Sequence, residues 1–306
     1  MNKNKNLSIE EAFNLAVKNH QEGKTDIAQN YYQKVLKIDP NNLVTHNNLG
    51  AIFESLGELQ KAQNYYEKAI EINPNYTNAH NNLGAIFQKL GEIQKAKDCY
   101  EKSIEIDPNY ADAHNNLGII FQELGEEQKA KECYEKVIEI DPNYADAHNN
   151  LGNIFNDLGE YQKAKDCYEK TIEINPNHQS AHTNLGNIFK KLGEYQKAKE
   201  CYEKAIKINP NYTNAHNNLG VIFQELGEEQ KAKECYEKAI EINPNYENAH
   251  NNLGTIFQEL GEYQKAKDCY EKVIKINPNY ANAHNNLGVV FKELGENQKA
   301  KDCYEK

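Results

Sequence analysis

The chain repeats itself every 34 residues. Its eight prolines, Pro40, Pro74, Pro108, Pro142, Pro176, Pro210, Pro244 and Pro278, stand 34 apart. The seven cysteines from Cys99 to Cys303 keep the same interval, and all 17 glycines fall at two places in the unit, one series from Gly50 to Gly288, the other from Gly23 to Gly295. A period of this length without slippage implies a stack of small similar units in which each meets only its neighbours, and not one or two closed cores. Counting from Ile9 gives units 9–42, 43–76, 77–110, 111–144, 145–178, 179–212, 213–246 and 247–280, then a partial unit 281–306, all after a leader of residues 1–8. No stretch reads as a linker or a second domain, so a single array over 9–306 is expected.

Within 77–110, Ala79, Leu83, Ile86, Phe87 and Leu90 recur at helical intervals, and Gly91 follows where a helix would end. A second stripe, Ile93, Ala96, Tyr100, Ile104 and Ile106, stops at Pro108. Each unit is thus a helical hairpin. The first helix carries its own start signal, Ser8 followed three residues later by Glu11, the pattern of a capping box. Two short amphipathic helices bury too little surface alone, so the hairpins must stack.

The residues His80, Leu83, Gly84, Phe87, Ala96, Tyr100 and Pro108, recurring in register from Thr45 onward, resemble the signature of the tetratricopeptide repeat (TPR). The resemblance implies an all-α, right-handed α-solenoid of stacked helix-turn-helix repeats. It also implies a non-enzymatic protein that holds a peptide or protein partner on the concave surface of its superhelix.

Each unit from Thr45 onward writes Asn-Leu-Gly in its first helix, most often as "AHNNLG", although an asparagine in a helix costs about half a kcal/mol relative to alanine; the first unit has Ala16 in place of the glycine. At 100° per residue Ala79, His80, Leu83, Gly84, Ile86, Phe87 and Leu90 share one arc, while Asn78, Asn81, Asn82, Ala85 and Lys89 take the opposite one. In the family the opposite arc lines the groove, so the resemblance places there a ladder of Asn48, Asn82, Asn116, Asn150, Asn184, Asn218, Asn252 and Asn286. Its neighbours Asn47, Asn81, Asn115, Asn149, Asn217, Asn251 and Asn285 would lie beside it. An asparagine amide donates two N–H and accepts at its oxygen, so a row of them can hold an extended peptide backbone without reading side chains. This resembles the ladder in the tetratricopeptide arm of O-linked N-acetylglucosamine transferases. Two other readings compete: recent duplication copies an asparagine without selection, or the amides tie adjacent helices together. The residue after Leu-Gly varies (Ala51, Ala85, Ile119, Asn153, Asn187, Val221, Thr255, Val289) while the asparagine before it does not, which favours a role.

The rest of that face is mild, with Gln88, Gln122, Gln224 and Gln258 beside Glu123, Asp157, Glu225, Glu259 and Glu293, interrupted by Lys190 and Lys191. A clamp for acidic tails needs cations in consecutive repeats, which this face lacks. The segment "NPNHQSAHTN" at 175–184, with His178, Ser180 and Thr183, is the most divergent junction.

A net charge of −11 and the absence of arginine argue against nucleic acid or an anionic membrane as partner. No membrane span or signal segment is legible, and free cysteines fit a reducing compartment, so cytoplasm or nucleus is expected. His46, His80, His114, His148, His182, His216, His250 and His284 stand roughly 10 Å from their counterparts in a stack, too far to share a metal, and the cysteines have no zinc spacing. No metal or cofactor is expected. Asp98 with Lys102 and Glu132 with Lys136 should pair on a solvated helix face.

The function expected is a scaffold that binds an extended segment of a partner protein through the asparagine ladder. The sequence stops at Lys306 inside a second helix without a polar cap, and on that ground two further readings arise. One is the substrate-recruiting arm of a larger enzyme whose catalytic domain lies beyond this chain. The other is self-association through the uncapped C-terminal end.

Overall fold

A computed structural model describes residues 7–305, and among them there are eighteen α-helices and no strand. In chain order they are α1 (Ile9–Gln21), α2 (Thr25–Ile38), α3 (Leu43–Ser55), α4 (Leu59–Ile72), α5 (Thr77–Lys89), α6 (Ile93–Ile106), α7 (Ala111–Glu123), α8 (Glu127–Ile140) and α9 (Ala145–Asp157). There follow α10 (Tyr161–Ile174), α11 (Gln179–Lys191), α12 (Tyr195–Ile208), α13 (Thr213–Glu225), α14 (Glu229–Ile242), α15 (Glu247–Glu259), α16 (Tyr263–Ile276), α17 (Ala281–Glu293) and α18 (Asn297–Tyr304). Odd and even helices pair as hairpins, as in α1–α2, α5–α6 and α11–α12, the stacked-hairpin architecture of an α-solenoid. Residue contacts group the chain into two compact units, Met1–Ala147 and His148–Lys306.

The local signals act as the sequence implies. Ser8 Oγ accepts from the Glu11 N–H at 3.1 Å and the Glu11 carboxylate accepts from the Ser8 N–H at 2.9 Å, completing the capping box. Each first helix ends in a Schellman turn. In α5 the Glu92 N–H donates to Phe87 O at 2.8 Å and the Gly91 N–H to Gln88 O at 3.0 Å, with Gly91 at φ +76°. Only a residue without a β-carbon takes that backbone freely.

The other glycine series acts through space. A β-carbon on Gly84 would stand 2.6 Å from Cε1 of Tyr100, and one on Gly118 the same distance from Cε1 of Tyr134, so from the second hairpin onward the phenol ring of the second helix lies against the bare backbone of the first. These tyrosines, with Ala79, Ile86, Ala96 and their counterparts, are the buried centre of each hairpin.

Three details depart from the sequence pattern. Leu90, assigned to the packed arc, is 41% exposed, as are its counterparts to a similar degree, because it caps the helix and has already left the packed turn. On α6 the buried residue of the last turn is Ser103, whose Oγ donates to Thr77 O at 3.3 Å, with Ile104 and Ile106 only half-buried. The ion pairs also differ: Lys102 meets Glu105 at 2.9 Å and Lys136 meets Glu139 at 3.1 Å, while Asp98 and Glu132 accept from Gln94 and Gln128. Pairs this exposed differ by tenths of a kcal/mol, about the size of rotamer preferences, so spacing alone does not choose the partner.

Candidate functional site

Asn81 and Asn82 are consecutive, so they point about 100° apart around α5. That angle divides them. Asn82 and all the other ladder residues, Asn48, Asn116, Asn150, Asn184, Asn218, Asn252 and Asn286, are half-buried. Asn47, Asn81, Asn115, Asn149 and Asn217 are buried, Asn81 being 7% exposed, whereas Asn251 is half-buried and Asn285 exposed. The expectation that both asparagines face away from the packing therefore needs correction for the first of each pair. Its cause is a contact that the apolar pattern does not report: α5 packs on α3 as well as on α6, and Asn81 lies on a flank of its helix.

The ladder residue reaches back one repeat. In the first unit Asn82 Nδ2 donates to Asn47 Oδ1 and Asn116 Nδ2 to Asn81 Oδ1, both at 3.1 Å. In the second, Asn184 donates to Asn149 at 3.2 Å, Asn252 to Asn217 at 3.1 Å and Asn286 to Asn251 at 3.4 Å. At the head of the series Asn48 Nδ2 donates to the Tyr32 hydroxyl at 3.0 Å. The amides thus tie successive first helices, and among the described residues no hydrogen bond reaches the side-chain oxygens of half-buried Asn82, Asn116 and Asn252.

The divergent junction keeps this pattern by a different route. Thr183 replaces the buried asparagine and donates its hydroxyl to Gln179 O at 3.2 Å. Asn218 turns instead to Asn187 Oδ1, at 3.1 Å, and Asn184 adds a bond to Asn153 Oδ1 at 3.0 Å. Asn153 and Asn187, which the sequence shows as variable residues after Leu-Gly, are therefore members of the amide network.

The buried tyrosine of each second helix sends its hydroxyl toward the same face. Tyr100 donates to Gln88 Oε1 at 3.2 Å, Tyr134 to Gln122 at 2.5 Å, Tyr236 to Gln224 at 2.6 Å and Tyr270 to Gln258 at 3.1 Å. In the two asparagine-bearing repeats the acceptor is different: Tyr168 donates to Asn153 at 2.9 Å and Tyr202 to Asn187 at 2.7 Å. Burial, joined at Tyr66 by the Glu54 carboxylate, holds these phenols above their ordinary pKa, so at neutral pH they are donors.

The histidines have a structural task. Nε2 of His46, His80, His114, His182, His216, His250 and His284 lies 2.8–3.1 Å from the carbonyl of the proline six residues earlier. A carbonyl only accepts, so Nε2 carries the proton and each imidazole fastens the turn between repeats. The thiols of Cys99, Cys133, Cys167, Cys201, Cys235 and Cys269 are half-buried and pushed up, to about 11 at Cys99 and about 12 at Cys201, by burial first and neighbouring carboxylates second. Neither series gathers into a cluster: among the described residues no three His, Cys, Asp or Glu side chains converge on a metal position.

One stitching device had no signal in the sequence. The Phe121 ring sits between Lys97 of the preceding repeat and Lys129 of its own, each ammonium 5.3 Å from the ring centre, and Phe223 sits likewise between Lys199 and Lys231 at 5.3 and 5.4 Å. Such cation–π contacts contribute about 0.5–1 kcal/mol each at partly exposed sites. The sequence shows the lysines only as solvated charge, because their ring partners lie across the repeat boundary.

The stacked hairpins and their amide-lined face define a repeat scaffold. Models of the tetratricopeptide repeat match residues 8–75, 43–109 and 75–143, residues 145–178, 213–246 and 247–280, and residues 167–200 and 269–302; a TPR repeat model matches 186–227. The chain belongs to the tetratricopeptide-repeat family, whose members are generally non-catalytic and bind protein or peptide partners.

No curated protein matches the sequence. Among solved structures, the chain is similar to the APC/C hetero-tetramer Cut9–Hcn1, with 18% identity and a TM-score of 0.71 over 87% of this chain and 52% of that one. It spans about half the length of that relative. It is also similar to pilF of Pseudomonas aeruginosa, with 21% identity and a TM-score of 0.62 over 72% of this chain and 96% of that one. At these identities the likeness is one of fold. Among the described residues no helix is long and apolar enough to cross a membrane.

Proposed function

We propose that the chain is a non-enzymatic scaffold that holds an extended segment of a partner protein along the face formed by its first helices. The ladder Asn48, Asn82, Asn116, Asn150, Asn184, Asn218, Asn252 and Asn286 supplies the contacts. The observation that carries this reading is the orientation of the amides. At Asn82, Asn116 and Asn252 a bond to the preceding repeat fixes the half-buried side chain, and among the described residues no hydrogen bond reaches its oxygen. A prealigned row of acceptors meets the N–H groups of an extended backbone without the loss of rotamer freedom that a loose side chain suffers on binding. The buried partners, Asn47, Asn81, Asn115, Asn149 and Asn217, act in this reading by positioning the ladder. Half-exposed Val221, Thr255 and Val289 add apolar contact on the same helices.

The test is selection from a library of random peptides displayed as internal segments. Immobilised protein should enrich a family of sequences, and the variant Asn184→Ala/Asn218→Ala/Asn252→Ala/Asn286→Ala should lose them while circular dichroism reports unchanged helicity. A library that yields no enriched sequence on the parent protein, or equal enrichment on the folded variant, would overturn the proposal. Analytical ultracentrifugation of the parent separates partner binding from self-association, which would appear as mass rising with concentration.

A further inference from the structure

We infer that the face of α11 carries a docking point, built by Asn187 and Lys190, for an acidic side chain of the bound segment. The inference rests on the groove-binding reading and adds a specificity to it. Its first support is a change of hydrogen-bond partners in one repeat. Where the twelfth residue of the unit is glutamine, the buried tyrosine occupies it, as Tyr236 does Gln224. In the sixth repeat Tyr202 bonds instead to Asn187 Oδ1, so the residue in the glutamine position, Lys190, has no hydroxyl to meet.

The second support is a donor count. Asn187 Oδ1 accepts from both Tyr202 and Asn218, which uses its acceptor capacity, and among the described residues the two N–H donors of this half-buried amide meet no acceptor. Among the described residues Lys190 forms no ion pair. Its neighbour Lys191 is already engaged, by Asn156 Oδ1 at 2.9 Å and by the Tyr161 ring 4.8 Å away. Gln88 meets Glu123 one repeat on, at 2.9 Å; the matching carboxylate for Lys190 is Glu225, whose charge raises the pKa of the Tyr195 phenol.

Asn187 and Lys190 are three residues apart on one helix, so their β-carbons lie about 5–6 Å apart on one face. A carboxylate placed between them accepts one amide N–H and one ammonium N–H, a charge-assisted arrangement. Around it the face is acidic, with Asp157 and Glu225 on the flanking repeats and −11 on the whole chain, so an acidic group finds one favourable position and a register is set. The occupant to which this geometry points is an aspartate or glutamate side chain within an extended segment. A free C-terminal carboxylate is the competing occupant.

The experiment uses the full chain and random peptides in two formats, internal and ending in a free carboxylate. Internal peptides selected on the parent protein should share an aspartate or glutamate at one position. Lys190→Gln should weaken a selected peptide about tenfold, and Lys190→Glu should change the selected charge to lysine or arginine. Lys190 is half-buried and, among the described residues, no hydrogen bond or ion pair holds its ammonium, so both variants should keep parental helicity. Enrichment without an acidic position, or an acidic preference untouched by both variants, overturns the inference and leaves the groove reading standing. Acidic selection only in the free-terminus format overturns the side-chain assignment. If the parent protein selects no peptide in either format, the groove reading fails and the docking point with it.

Discussion

Replacing Asn116 by alanine sets two magnitudes of opposite sign against each other. Helix propensity favours the change by about 0.5 kcal/mol. Against it stands the bond from Asn116 Nδ2 to Asn81 Oδ1, 3.1 Å long, whose acceptor belongs to a buried residue. Removing the donor forfeits a bond of about 1 kcal/mol and leaves a poorly solvated oxygen, a further cost of about 1 kcal/mol. The expected net is a loss of about 1–1.5 kcal/mol at the boundary between the third and fourth repeats. Asn81→Ala should cost less, because half-buried Asn116 can rehydrate its donor. The double variant should recover part of the sum, giving a coupling energy of about 1 kcal/mol. Urea unfolding followed by circular dichroism, fitted with a nearest-neighbour model because a long array is not two-state, reads all four corners of the cycle. Stabilisation by Asn116→Ala, or a coupling energy near zero, would refute the argument and return the asparagines to duplication without structural effect.

Three other outcomes follow from the packing. Gly118→Ala places a β-carbon 2.6 Å from the Tyr134 ring and should cost about 1–3 kcal/mol, because the ring must shift within a packed hairpin; an unchanged urea midpoint would contradict the close approach. His250, held below its ordinary pKa by burial first and then by Lys272, binds its proton more readily when unfolded, so stability should fall as pH drops from 7.5 through 6.5 toward 5.5. His20, lowered by burial, acts in the same sense, and His250→Gln should make the decline shallower; stability flat across that window would refute the assignment. A thiol near pKa 11, as at Cys99, is thiolate in about one part in ten thousand at pH 7, so maleimide labelling should be slow in the native chain and accelerate greatly in urea; equal rates would show that the thiols are not shielded.

Periodicity alone determined the fold. A 34-residue interval held by every proline and glycine leaves one solution, hairpins stacked in a row, because each hairpin can hide its apolar stripe only on the next. The turn glycines, the capping box at Ser8 and the glycine–tyrosine packing are local or within one repeat, and local chemistry is what a sequence displays directly. What lies between repeats had to come from the tertiary structure. Asn81 and Asn82 look alike as letters, and only the packing of α5 on α3 makes one a buried acceptor and the other a half-buried donor. Thr183 stands in the most divergent junction and Asn187 at a variable position after Leu-Gly, yet Asn187 supplies the acceptor that Thr183 removes. The reason is one of geometry: a helical wheel finds the face that meets a hairpin partner, while the flanks that meet the preceding first helix carry polar groups. A hydrogen bond across a repeat boundary leaves no hydrophobic period to mark it.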